Sequence, residues 1–220
     1  MSLESDILQL EGPIFVFGAS GFIGANIVET LSMSRSDVYA ISHNPKAAWR
    51  LKLLNISDDR LLYCDINFKS SVDTLFEIYR PKTVFNLSAY GAYSKQSNHL
   101  LTYQTNFMGT LNILEACQGV RAYIHAGSSS EYGLNCTNPD EEGALVPNSH
   151  YAVSKISSAY LINYYGKFLN ISCLNLRLYS IYGPWEEPDR LMPRIVELAR
   201  KGTYPPLVSP ETTRDFVYVI

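Results

Sequence analysis

Apolar runs of strand length alternate with longer helical patterns along most of this chain, and few architectures accept that order. Ile14-Phe15-Val16-Phe17 is a short apolar run ending at a glycine, as a buried parallel strand does. Phe22 to Leu31 follows with Ile23, Ile27, Val28 and Leu31 at helical spacing. Val38 to Ile41, Leu61 to Cys64 and Thr83 to Leu87 read as the next three strands. Between the last two, Val72, Leu75, Phe76 and Tyr79 mark a helix that Pro81 ends. A long helix is predicted over Leu100 to Cys117, a fifth strand over Ala122 to Ala126, a helix over His150 to Phe168 and a sixth strand over Ile171 to Leu178. This spacing implies parallel βαβ units with right-handed crossovers, hence an α/β, doubly wound, Rossmann-type sheet.

Beyond Leu178 the pattern changes. Pro184, Pro188, Pro193, Pro205, Pro206 and Pro210 break the chain around one helix, Met192 to Lys201. We read residues 11–178 as the sheet domain and 179–220 as a partial small lobe beyond the carboxyl edge, where α/β proteins place ligands. The sequence stops at Asp215-Phe216-Val217-Tyr218-Val219-Ile220, inside an apparent returning strand. With 46% hydrophobic residues, 220 positions suffice for one well-buried core. A net charge of −3 offers no basic field, so no nucleic-acid partner is expected. Cys64, Cys117, Cys136 and Cys173 form no C-x-x-C pair and read as reduced thiols of a cytoplasmic protein. The four histidines have no ligand spacing, so no metal is expected. No apolar run approaches the roughly 20 residues that span a bilayer, and the acidic, polar N-terminus does not read as a signal peptide.

The first strand runs into Gly18-Ala19-Ser20-Gly21-Phe22-Ile23-Gly24, and a helix begins inside that loop. Gly18 permits the turn, Gly21 lets backbone approach a pyrophosphate, and Gly24 lets helix pack closely on strand. The helix start adds free N–H groups and partial positive charge, so Gly18, Ser20, Gly21, Phe22, Ile23 and Gly24 are candidates for dinucleotide binding. At the end of the second strand an NAD enzyme usually places a carboxylate for the ribose 2′-OH. Here the position holds Ser42, with Lys46 and Arg50 downstream. A 2′-phosphate could accept from Ser42 and pair with those cations, which favours NADP over NAD. A solvated basic loop binding NAD is the other reading.

The G-x-x-G-x-x-G spacing resembles that of the extended short-chain dehydrogenase/reductases, the NAD-dependent epimerase/dehydratase family. Asp65-Ile66 is similar to the family's adenine-contacting pair. Leu87, Ser88, Ala89 and Tyr90, following Asn86, resemble its cofactor-lining segment, and Asn106 lies in an Asn-x-x-Gly-Thr helix like the family's.

Tyr151 and Lys155 form a Y-x-x-x-K motif, and their i, i+4 spacing places both on one helical face. A phenol of reference pKa near 10 is a poor base at neutral pH; a nearby ammonium and the positive nicotinamide would favour its phenolate. Tyr151 could then take a proton from a sugar hydroxyl or return one, with Lys155 also holding the nicotinamide ribose. The resemblance puts Ser128, counted back from Tyr132-Gly133, at the Ser/Thr position that bonds the reacting oxygen, with Ser129 as the rival in register and otherwise a substrate contact. Ser180 stands where the family usually has Asn, and Arg190 and Arg214 lie in segments similar to its substrate lobe. The resemblance thus implies a sugar-nucleotide substrate, a homodimer through helices 100–117 and 151–168, and further substrate-lobe sequence past residue 220.

Dehydratases of the family carry an acidic pair after the catalytic Thr. Ser129 and Ser130 occupy those positions, and Glu131 lies one step further. The expected activity is therefore a 4-epimerase or 4-ketoreductase, then a 4,6-dehydratase. An inactive NAD(P)-binding regulatory domain is the reading from another class.

Overall fold

The computed structural model describes residues 2–93, 95–206, 209, 211 and 213–220. Pro210 lies outside the described residues. Six parallel strands form the main sheet in the order β3-β2-β1-β4-β5-β6: β1 (Ile14–Phe17), β2 (Val38–Ser42), β3 (Leu61–Tyr63), β4 (Thr83–Asn86), β5 (Ala122–Ala126) and β6 (Ser172–Leu176). The order reverses between β1 and β4, which opens a crevice at their carboxyl ends. The doubly wound expectation holds.

All four residues of β1 are fully buried because this strand has neighbours on both edges and helices on both faces. Their alternation builds two cores. Phe15 and Phe17 join Val84, Ile113, Leu114 and Tyr123 on one face. Ile14 and Val16 join Ala25, Val28, Leu31 and Leu51 on the other. Phe15 also meets Phe76 edge-on at 5.5 Å, locking α4 (Lys69–Tyr79) onto the sheet. α4 ends at Arg80, which adopts a left-handed conformation (φ 47°) before Pro81.

Several elements differ from the sequence reading. The polar N-terminus forms a helix, α1 (Leu3–Gln9), capped by the Ser2 hydroxyl and anchored by buried Ile7. A single inward residue has no periodicity, which is why the pattern did not reveal it. α3 (Trp49–Leu53) was likewise too short to read. The helix expected over 100–117 is α5 (His99–Tyr103) and α6 (Gly109–Ala116) joined by one π turn, Gln104–Met108. That turn contains fully buried Asn106. β6 stops at Leu176, where the chain bends so that the Leu178 N–H donates to the Leu176 carbonyl. β7 (Ser180–Tyr182) then pairs in parallel with β8 (Phe216–Tyr218). α2 (Phe22–Ser32), α7 (His150–Leu169) and α8 (Leu191–Ala199) complete the named helices. No helix among the described residues is long and apolar enough to cross a membrane.

Candidate functional site

The crevice above β1, β4 and β5 encloses about 430 Å³. Its floor is the turn from β1 into α2. Gly18 has φ +72°, and a Cβ there would lie 2.7 Å from the Leu87 carbonyl carbon and Ser88 nitrogen. A Cβ on Gly24 would lie 2.3 Å from the Gly18 carbonyl oxygen. Both positions therefore exclude side chains, and the start of α2 is drawn tightly onto the loop. Gly21 is its N-cap in extended conformation, with no side chain over the free N–H groups of the first turn. Gly18, Gly21, Phe22, Ile23, Gly24, Leu87, Ala89, Ser128, Ser129, Tyr151, Lys155, Ser180, Arg190 and Arg214 all line this crevice.

The remaining candidates surround it. Ser42 is buried at the end of β2; its hydroxyl donates to Ser20 Oγ at 3.1 Å and accepts from the Asn44 N–H at 3.1 Å. Arg50, expected as a free cation, is buried and already committed. It donates to the Trp185 carbonyl at 2.9 Å and the Ser20 carbonyl at 3.2 Å, and pairs with Glu187 at 2.9 Å. Lys46 remains exposed. Asp65 accepts from the Asn67 N–H, while Ile66 packs under Gly109 and its carbonyl accepts from Asn112. Asn106 is a brace: its amide donates to the Tyr90 carbonyl and to Ser154 Oγ, and its oxygen accepts from the Tyr90 N–H. The loop after β4 is thereby tied to α7, with the Ser88 N–H held by Asn86. Arg190 lies 3.5 Å from Glu186 and over the ring of Tyr93, a crevice residue that the sequence reading missed.

Two of the candidate acid–base groups lie on α7. The Ser149 hydroxyl caps this helix by accepting from the Ala152 N–H, which puts Tyr151 in the first turn and Lys155 one turn on. Lys155 is fully buried; its Nζ donates to the Ala126 carbonyl at 2.8 Å and sits 5.9 Å from the centre of the Tyr151 ring. Burial lowers the ammonium to about 8, opposed by the carboxylate of Glu131. Burial likewise pushes the Tyr151 phenol up to about 12, opposed by its hydrogen bond with Ser128. The sequence reading expected the ammonium to pull the phenol down. In the protein alone, desolvation decides the direction for both groups.

The lysine makes stability pH-dependent. The unfolded chain binds this proton more tightly than the folded one, so this lysine's contribution to stability rises as pH climbs from about 8 towards 10.5, by on the order of 3 kcal/mol, and its cost is present in full below 8. Burial raises the Cys64, Cys117 and Cys173 thiols, which oppose this rise above about pH 9, so the difference in urea stability between the unaltered chain and Lys155→Met, rather than the raw profile, should show it. An unchanged profile in Lys155→Met would remove the buried ammonium from the account.

Sequence reasoning also set Glu131 aside. It is fully buried beneath the Ser128 loop. The signal was present: Ser128-x-x-Glu131 is a capping box, and the structure forms both of its bonds.

The chain matches the model of the NAD dependent epimerase/dehydratase family over residues 14–220. It is 30% identical over 189 residues to UDP-glucuronate 4-epimerase 3 of Arabidopsis thaliana, covering 80% of this chain and 44% of that protein. Among solved structures, it resembles UDP-glucose 4-epimerase from Thermotoga maritima with UDP-glucose, at TM-score 0.81 and 26% identity, covering 94% of this chain and 69% of that one. UDP-glucuronic acid 4-epimerase from Bacillus cereus in complex with NAD superposes at TM-score 0.75 and 27% identity, covering 94% and 68%. This chain spans about half the length of the curated relatives it matches.

Proposed function

Because this chain belongs to the NAD-dependent epimerase/dehydratase family, we propose that it carries the cofactor site and the acid–base groups of a sugar-nucleotide 4-epimerase or 4-ketoreductase. The observation that supports this most is the convergence of the Ser128 hydroxyl, Tyr151 phenol and Lys155 ammonium on the crevice above Gly18–Gly24. A bound nicotinamide supplies hydride acceptance and return at a sugar carbon. The chain supplies the rest. The first turn of α2 faces the pyrophosphate, Lys155 holds the ribose, Ser128 orients the reacting oxygen, and Tyr151 exchanges its proton. Arg190 and Arg214, on the far wall, suit the substrate diphosphate. A 4,6-dehydratase ranks second: Ser129 and Ser130 supply no carboxylate, and both oxygens of Glu131 are engaged by donors.

The test is incubation with NAD or NADP and UDP-glucose, UDP-galactose or UDP-glucuronate, and separately with NADH or NADPH and a UDP-4-keto sugar, read by chromatography and mass spectrometry. An isomer of unchanged mass supports epimerisation, and gain of two hydrogens from a 4-keto sugar supports reduction. Loss of water would favour the dehydratase. Cofactor binding without turnover of any sugar would favour a regulatory domain.

For the cofactor, the end of β2 offers Ser42 and Lys46 exposed beyond it, so a 2′-phosphate meets no carboxylate on that strand. We read the site as accepting NADP at least as readily as NAD, although relatives such as the Bacillus cereus enzyme were solved with NAD. Arg50 plays no part in this reading, since its guanidinium is bound elsewhere. Ser42→Asp is expected to weaken NADP binding by about 10-fold or more, roughly 1.4 kcal/mol, with little change for NAD. Fluorescence titration decides it, and equal losses for both cofactors would place the ribose elsewhere.

We also propose homodimerisation through α7 and the helix pair α5–α6. Tyr160, Tyr164 and Phe168 are exposed on α7, as are Leu100 and Met108 on its neighbour, whereas Tyr165 packs on the core.

A further inference from the structure

The Ser128 loop is held from below by a group that none of the motifs assigns. Glu131 Oε1 accepts from the Ser128 N–H at 2.8 Å, while Oε2 accepts from Asn175 Nδ2 and Arg177 Nε, each at 3.1 Å. Every group bonded to this fully buried carboxylate donates, and none accepts. Arg177 is itself anchored by the Glu141 carbonyl at 2.8 Å and lies against the ring of Tyr132. The bend from Ala126 to Ser128 is thus pinned at both ends, by Lys155 at the Ala126 carbonyl and by Glu131 at the Ser128 N–H. Gly127 between them has no room for a side chain: a Cβ there would lie 2.5 Å from Glu131 Oε1 and 2.8 Å from the Leu176 carbonyl oxygen.

We propose that Glu131 is the positioning residue of this site, its buried carboxylate fixing the Ser128 hydroxyl and serving as the counter-charge of the Lys155 ammonium across the Ala126–Ser128 bend. The inference rests on the reading of Ser128, Tyr151 and Lys155 as the acid–base groups. Three titratable groups lie around the lysine. His125 on β5 is buried and held neutral, Tyr151 on α7 is held as the neutral phenol, and Glu131 carries the opposing charge. Removal of that carboxylate leaves the ammonium with burial alone, so it deprotonates at lower pH. Arg177 competes for the same charge, so its removal acts in the opposite sense.

The experiment needs neither cofactor nor substrate, so a failure to turn over sugars leaves it intact. Urea midpoints are measured from pH 6.5 to 10 for the unaltered chain, Glu131→Gln and Arg177→Gln, each also in a Lys155→Met background. The proposal expects the onset of the lysine-linked rise in stability to move down by about one pH unit in Glu131→Gln and up in Arg177→Gln, its upper end staying near the unfolded value of 10.5, and both shifts to vanish with Lys155→Met. A purely structural role predicts losses of the same size at every pH and in both backgrounds, and that result overturns the proposal. Should Glu131→Gln not fold, the upward shift in Arg177→Gln carries the test, and its absence is equally fatal. With a turned-over sugar in hand, the alkaline limb of kcat moves down with Glu131→Gln. A fall in kcat that is uniform across pH counts against the proposal.

Discussion

Tyr151→Phe is expected to lower turnover by about 10²–10⁴-fold, the range that a positioned general acid or base contributes, and to leave cofactor affinity close to that of the unaltered protein. The asymmetry follows from where the phenol sits. Its ring lies beside Lys155 in the crevice, and phenylalanine keeps that packing while removing only the hydroxyl. A phenol raised to about 12 by burial is a proton donor at neutral pH. Acting as a base requires added positive charge, and Lys155 provides less of it once pH passes about 8. The measurement is kcat on whichever UDP-sugar the panel identifies, alongside cofactor titration. A phenylalanine variant within a few-fold of full activity would remove Tyr151 from the chemistry. Weakened cofactor binding of matching size would mean that the ring, not the proton, had mattered.

Gly18→Ala should destabilise the chain by about 2–5 kcal/mol and abolish measurable cofactor binding. The left-handed backbone at φ +72° costs an alanine about 1–3 kcal/mol. Overpacking against the Leu87 and Ser88 backbone, 2.7 Å away, adds a similar amount. Neither neighbour is the loose end of a side chain; both belong to the segment leaving β4, so relief requires moving the loops that form the crevice floor. Against a total stability of roughly 5–15 kcal/mol for a domain, the loss is large. Urea unfolding measures it, and a change below about 0.5 kcal/mol, the range typical of neutral surface substitutions, would show that the turn relaxes freely.

Most of the sheet was legible because each strand is a local event. Ile14–Phe17 ends at a glycine, α2 follows at helical spacing, and the pattern repeats along the chain. The misses were of two kinds. α1 and α3 have too few inward residues to set a period, so only burial of Ile7 and Leu51 in the second core reveals why they fold. The π turn around Asn106 comes from partners on the β4 loop and α7, 16 and 48 residues away. Arg50 went astray for the same reason. A basic residue after β2 reads as a free cation until Trp185 and Glu187, 135 and 137 positions on, are seen to occupy it.

What the amino-acid order determined unaided was whatever spans a single turn or strand: the glycine spacing and the Tyr151–Lys155 pair on one helical face. These depend on backbone geometry over a few residues, and that geometry is the same in any context. Tertiary structure alone decided the charges and the bracing, because hydrogen bonds and burial join residues that the chain keeps far apart. Asn175 and Arg177 reach Glu131 from 44 and 46 positions away. Only the packed sheet removes water from Lys155 and Tyr151, and with it sets the protonation on which the proposed chemistry rests.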